Sequence, residues 1–285
     1  MIDFNFLNIS VLIIFGFFIG ILGSVMGVGG GVFIVPLLSI FFHLPIQNAI
    51  AISLVAIIVT STTVATVNVE KGLANVRLGI SLEMTMALGS IIGALLMTRL
   101  NGRWLSILFA LFLFPVSISM YLKSKNKFPL KQKTNKDTDD MEKKNVYGSS
   151  FFDPSVGEHI NYFVDNMSLA MLFSLFSGAL SGLLGLGGGI IQVPVMNLIC
   201  KIPIKAAAAT SNFMIGVSAA TSTIIFFKKG FIIEDIAIIL SLGVALGSII
   251  GIKTLYKAKS DKIQLAFSVL IIAVAIKMLY NSLYI

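Results

Sequence analysis

Apolar residues fall along this chain in long uninterrupted blocks separated by short polar stops. The first block runs from about Ile9 to Phe42 and is broken only by Gly, Ser, Met and one Pro. At about 34 residues, a single straight helix of this text would be roughly 50 Å long, against a bilayer hydrocarbon core of about 30 Å. Such a block has to break, and Gly29-Gly30-Gly31 with Pro36 beyond them is where it can. Windows at Ala49–Val67, Ile80–Met97 and Leu105–Tyr121, and their later equivalents, carry few or no charges and suit membrane crossings. The pattern predicts helical pieces at 9–27 and 31–43, then spans at 49–69, 78–98 and 104–122. It predicts the same series again at 167–185 and 189–200, then 206–227, 235–253 and 262–283. The stops are His43-Leu44-Pro45, Lys71-Gly72, Asn101-Gly102 and Lys201-Ile202-Pro203.

Shifting the numbering by 158 aligns the two halves without a gap. Gly27, Gly29, Gly30, Gly31 and Pro36 fall on Gly185, Gly187, Gly188, Gly189 and Pro194. Pro45 falls on Pro203, Ser53 on Ser211, Thr63 on Thr221, and Lys71-Gly72 on Lys229-Gly230. Agreement at Gly, Pro, Ser and Lys in one register is not the chance agreement of low-complexity apolar text. The expected fold class is an all-α polytopic membrane protein of two repeats, each a broken Gly-rich helix plus three full transmembrane helices. Repeat 1 covers 1–122, a charged linker 123–165, and repeat 2 166–285.

Composition agrees. The chain is 56% apolar and 12% charged, with a mean hydropathy of +0.96, which excludes a soluble domain. The net charge of +8 does not imply a nucleic-acid partner, because the lysines sit in loops and in the linker, where they report orientation. If each broken segment enters and returns, each half crosses an odd number of times and the halves are inverted. Lys71, Arg77, the eight linker lysines, Lys201, Lys205, Lys253, Lys257, Lys259 and Lys262 then share one side, 16 basic residues against five. Parallel halves would split them 13 to eight. The positive-inside rule favours inversion, with the linker cytoplasmic, both termini outside, and the cell membrane as the location. Met1-Ile2-Asp3-Phe4 has no basic stretch or cleavage site and reads as the start of the first membrane segment. The linker's first part, at least to Ser150, reads as solvated and mobile, and 151–164 as a short amphipathic piece. The lone Cys200 excludes an intramolecular disulfide.

Candidate chemistry concentrates at the glycine runs. A helix interrupted at membrane depth exposes backbone groups that survive only when buried in protein or lining a cavity. The half-helix N-terminus there offers free N–H groups and the positive end of a dipole, which suits an anion. Gly29, Gly30, Gly31, Gly187, Gly188 and Gly189 are therefore substrate-binding candidates, with Pro36 and Pro194 structural at the breaks. Gly16, Gly20, Gly89, Gly93, Gly247 and Gly251 read instead as tight helix packing. Ser53, Thr210, Ser211 and Asn212, and more weakly Gln192 and Asn197, could donate to an oxyanion while staying neutral; interhelical hydrogen bonding is the competing reading. A nucleotide loop fails on spacing, since Val32 stands where the third glycine belongs. Glu83 and Lys277 lie near enough to span ends to snorkel, and His43 and His159 lie near loops, so no charge is expected at the midplane. No nucleophile–base pair, carboxylate dyad or metal set is present, so no enzyme, metal or cofactor is expected.

The run Gly23-Ser24-Val25-Met26-Gly27-Val28-Gly29-Gly30-Gly31 with Pro36, answered by Ser181, Gly185, Gly187, Gly188, Gly189 and Pro194, resembles the sulfite exporter TauE/SafE family. The Ala206–Asn212 stretch is similar to that family's second-copy text, while Asn48–Leu54 is a looser version lacking the Thr and Asn. The resemblance covers the whole chain except the linker. It implies a transporter moving sulfite, sulfonates, thiosulfate or related sulfur oxyanions, mostly outward, with the lipid bilayer as its other partner and a homodimer as a possible assembly. A monovalent anion leaving a negative interior gains about 2.3 kcal/mol per 100 mV, so export needs no coupled ion and no buried carboxylate. An importer or channel for a sulfur compound, and a non-transporting membrane scaffold or assembly factor, stay open as alternatives.

Overall fold

The computed structural model describes residues 6–27, 29–125, 146–153, 157–255, 272 and 275–280. It is mostly helical. The expected span at 262–283 and the linker residues 126–145 fall mainly or wholly outside the described residues. The first apolar block folds as α1 (Phe6–Met26), a glycine turn, then α2 (Gly31–Pro36) running into a π-helical turn at Leu37–Phe41. Pro36 lacks the N–H that a continuing α-helix would use, and the wider turn begins just after it. Full-length helices follow: α3 (Ile46–Glu70), α4 (Val76–Met97) and α5 (Gly102–Lys125). The later blocks give α6 (Met167–Leu184), α7 (Gly189–Pro194) with a π-helical turn at Val195–Ile199, α8 (Ile204–Lys228) and α9 (Glu234–Leu255). Among the described residues, α3, α4, α6, α8 and α9 are long and apolar enough to cross a membrane.

Local chemistry sets the boundaries. Pro45 and Pro203, extended at φ −52° and −53°, open α3 and α8. The Asn75 side chain caps α4 by accepting from Leu78 N–H at 3.1 Å. One departure from an all-helical chain stands between α5 and α6. Strands β1 (Ser149–Asp153) and β2 (Glu158–Tyr162) pair antiparallel, with Phe151 opposite Ile160. Phe151, Tyr162 and Val164 are buried. Asn75 Nδ2 donates to Tyr147 O at 2.8 Å and Arg77 Nη1 to Val146 O at 3.0 Å, which fastens this hairpin to the start of α4. The expected amphipathic piece is thus a docked β-hairpin, because its alternating apolar residues find a core face to bury. Burial holds the Tyr162 phenol above its ordinary range, against the opposing pull of hydrogen bonds with Asn75 and Ser149.

The helices pack through glycine. Gly16 and Gly20 of α1 lie against the Leu240 and Val244 carbonyls of α9, while Gly243, Gly247 and Gly251 lie against Ile13, Phe17 and Ile21. Both registers rise together, so α1 and α9 run parallel. Gly89 and Gly93 of α4 meet Leu175 and Ala179, and Gly178 and Gly182 of α6 meet Met86 and Ser90, so α4 and α6 are parallel too. The opposite faces are apolar and bare. Ile80, Met84, Leu88, Ile91, Ile92 and Leu95 of α4 are exposed, as are Ile238, Leu242, Leu246, Ile249 and Ile250 of α9. Stripes of that size have no place in water and are matched by lipid tails.

Candidate functional site

Each glycine break turns a helix back on itself. In the later one, Ser177 Oγ donates to Gly188 O at 2.7 Å, Gln192 Nε2 to Ser174 Oγ at 2.9 Å, and Asp165 N–H to Cys200 O at 3.2 Å. Residue numbers fall on one side as they rise on the other, so α6 and the segment 189–199 form an antiparallel hairpin. The earlier break does the same, with Gly23 against Gly29 and Gly30, and the Phe15 and Phe41 rings 6.4 Å apart. Gly30 and Gly188 precede the returning helices at φ 86° and 72°, a left-handed conformation that suits glycine. Their carbonyls accept from Phe33 and Ile34, and from Ile191 and Gln192. The N–H groups of Gly31, Val32, Gly189 and Ile190 lie ahead of those first-turn bonds.

The two breaks meet. A Cβ on Gly31 would overlap the Gly185 carbonyl oxygen. Ser53 Oγ of α3 lies 2.8 Å from that same oxygen and 2.8 Å from Ile50 O, and its single proton is shared between the two acceptors. Reciprocally, Ser211 of α8 donates to Gly27 O at 3.4 Å, and Gly27 lies against Ala208. Gly29 packs between Ile57 of α3 and Ile215 of α8. Most of this is buried; Ser53 and Ser211 are 0% exposed, while Ala208 is half-buried. Around it are polar atoms without partners: Ser181 Oγ, one turn before Gly185, and Asn212 Oδ1, next to Ser211. Buried polar atoms are normally satisfied, so orphans beside a helix break mark a place for water or ligand. Among the described residues there is no group of three or more His, Cys, Asp or Glu that could hold a metal ion.

The family model of sulfite exporter TauE/SafE matches residues 12–278. The chain belongs to the TauE/SafE family. Its relatives in that family include the probable membrane transporter protein YunE of Bacillus subtilis, 27% identical over 98% of this chain and 100% of the relative. A probable membrane transporter protein of Methanocaldococcus jannaschii is 25% identical over 93% of this chain and 94% of its own length. The TauE/SafE family protein 5 of Arabidopsis thaliana is 34% identical over 30% of this chain and 19% of its own length. No solved structure matches the chain.

Not every residue singled out in this TauE/SafE sequence stands at the breaks. Gly29, Gly30, Gly31, Gly187, Gly188, Ser53, Ser211 and Asn212 are gathered there, and Gly189 opens the returning α7. Thr210 lies further along, where its Oγ1 accepts from Asn75 N–H at 2.9 Å and ties α8 to the turn before α4. Gln192 is spent on Ser174 and staples the hairpin, and Asn197 Nδ2 donates to Ile202 O at 2.8 Å. Pro36 is buried and Pro194 exposed, each one turn past its break. Thr60, Thr62 and Thr63 bond back to carbonyls of their own helix.

Glu83 departs most from its sequence reading. It does not snorkel: it is 6% exposed, and neither carboxyl oxygen has a partner among the described residues. The sequence signal was available in the spacing. Glu83 shares an α4 stripe with Gly79, Met86 and Ser90, which are residues of the packed face. Its position in the shifted register is Ser241 of α9, whose hydroxyl is likewise buried without a partner.

Proposed function

We propose that this chain is a transporter of the cell membrane that moves a small sulfur-containing oxyanion, sulfite, thiosulfate or a sulfonate, in the outward direction the family name carries. The observation that carries the reading is the meeting of the two breaks. The start of one returning helix, at Gly31, meets the end of α6, at Gly185; the two breaks are fastened reciprocally by Ser53 and Ser211 and flanked, among the described residues, by the unpartnered Ser181 Oγ and Asn212 Oδ1. Broken helices paired at one depth are how many secondary transporters hold an anion between two rocking units. A scaffold would not need them.

The units are read as inverted repeats. α2, α3, α4, α7, α8 and α9 begin at positions that repeat after 158 residues. α8 runs with α4, since Gly79 meets Phe213 and Ser90 bonds Thr221. α9 turns back from α8 through a short loop. α1, parallel to α9, therefore runs against α6, its counterpart. With that arrangement 71–77, 146–153, 157–165 and 200–205 lie at one end of the bundle, the end rich in lysine and arginine, which supports reading that end as cytoplasmic.

Uptake of labelled sulfite into proteoliposomes tests the function. Purified chain is expected to carry sulfite, with competition by unlabelled sulfite, and Gly188→Leu to remove the flux while the protein stays folded. Folded wild-type chain that moves neither sulfite, thiosulfate nor a sulfonate would sink the reading.

A further inference from the structure

Glu83 lies in a wall of the later break. On its α4 stripe, Gly79 abuts Thr210 and Phe213 of α8, Met86 abuts Gly188 and Gly178, and Ser90 abuts Thr221 and Ser222. Glu83 falls between the contact with Thr210 and the contact with Gly188. Among the described residues no opposite charge reaches it there. α6 and α7 carry no titratable or charged residue, and α8 carries only Lys205 and Lys228, at its two ends. On α4 itself the other charged residue is Arg77, which is exposed and bonded to Val146 O. Burying a carboxylate without a cation or a donor is strongly disfavoured. A neutral carboxyl differs from a carboxylate in one chemical respect that matters beside an anion: it donates a hydrogen bond instead of repelling.

We propose that Glu83 is a proton-linked residue of the anion site, binding the oxyanion through its own carboxyl O–H and leaving the site unable to hold an anion when ionised. This rests on the transport reading above; a proton bound with a monovalent anion makes the complex neutral, so the anion and proton gradients, rather than the membrane potential, set its net movement. When the site opens to water, Glu83 releases its proton to water; when an anion enters, the carboxylate takes a proton back from water, so anion and proton bind together. By linkage each favours the other to the same degree. Anion affinity is therefore highest at low pH and falls as pH rises through the pKa of the open site, by about tenfold per pH unit. The corresponding place at the earlier break holds Ser241, which has a hydroxyl and no titratable proton in this range, so the two breaks are chemically unequal.

Calorimetric titration of the detergent-purified full chain with sulfite, thiosulfate and methanesulfonate, each in two buffers of different ionisation heat, counts the protons taken up. The readout is the difference between the wild-type chain and Glu83→Gln, which cancels any proton the anion itself gains. The wild type is expected to take up about one more proton per anion than the variant. The variant, whose amide is a neutral donor of the same shape, should bind thiosulfate and methanesulfonate, which do not titrate in this range, with an affinity that is flat with pH. Equal uptake by the two proteins, or a folded Glu83→Gln chain that binds none of the anions the wild type binds, overturns the role of Glu83 and leaves the transport reading standing. A folded wild type that binds none of the three overturns both. Infrared difference spectra of the wild type alone give a second check, independent of the variant's folding. Adding the bound anion at alkaline pH should raise a protonated-carboxyl C=O band, and no such band would overturn the proposal.

Discussion

The Ser53 hydroxyl donates to the carbonyl oxygen of Gly185 across 132 residues of chain, at 2.8 Å. That oxygen belongs to a peptide at the end of a helix, where no intrahelical N–H is left to reach it. Removing the hydroxyl strands a buried acceptor, so Ser53→Ala should lower stability by about 1–3 kcal/mol. Ser211→Ala should cost less, since its bond to Gly27 O is 3.4 Å long. Thermal melts of the two variants in detergent, in that order of loss, check the assignment.

Gly31 and Gly72 separate two meanings of glycine. A Cβ on Gly31 has no room, because the Gly185 carbonyl occupies its place. Gly72 has open space around it but a φ of 63°. Gly31→Ala is therefore expected to cost about 3 kcal/mol or more and to depress folded yield. Gly72→Ala should cost only about 1 kcal/mol, the strain of a left-handed residue. Fluorescence size-exclusion profiles of the two variants would show the contrast, and equal losses would mean that the breaks do not touch as described.

Lys71 and Lys229 are equivalent in the shifted numbering and both are exposed. In an inverted pair they lie on opposite sides of the membrane; in a parallel pair they share a side. With the single native thiol removed as Cys200→Ser, Lys71→Cys should react with an impermeant maleimide only from the cytoplasmic face and Lys229→Cys only from outside. Labelling of both from one face would refute the inverted arrangement.

Leu88 and Leu246, near the middle of α4 and α9, are 59% and 56% exposed. In water a charge at such places would be harmless. In lipid it is not: Leu88→Arg or Leu246→Arg should cost about 2.5–3.5 kcal/mol of insertion. The amount of each variant in the membrane fraction, compared with Leu88→Met, measures the effect. Undiminished amounts would mean that these faces are covered by protein.

Much of this was open to reading along the chain. Helix lengths and stops at Pro45, Lys71-Gly72 and Pro203 follow from apolar text measured against a bilayer, and α2 and α7 begin at Gly31 and Gly189, where the glycine runs place them. The packing glycines were legible for the same reason: Gly16, Gly20, Gly89 and Gly93 recur at four-residue spacing, and small residues at that spacing let helices close. The β-hairpin was not, since five-residue strands in a charged linker pair only because Phe151 and Tyr162 find a buried face at the start of α4.

The division at the candidate site has one physical cause. Periodicity and spacing are properties of neighbours within a helical turn or two, so sequence alone determined a membrane protein, its two breaks and the polar residues near them. Which of those polar groups is already engaged depends on partners more than a hundred residues away. Ser53 meets Gly185, Ser211 meets Gly27, and Thr210 is taken by Asn75. Whether a carboxylate one or two turns inside a span reaches water depends on what is packed over it. Packing of α6 and α8 against α4 closes over Glu83 and leaves it no partner among the described residues, and only the tertiary structure could decide that.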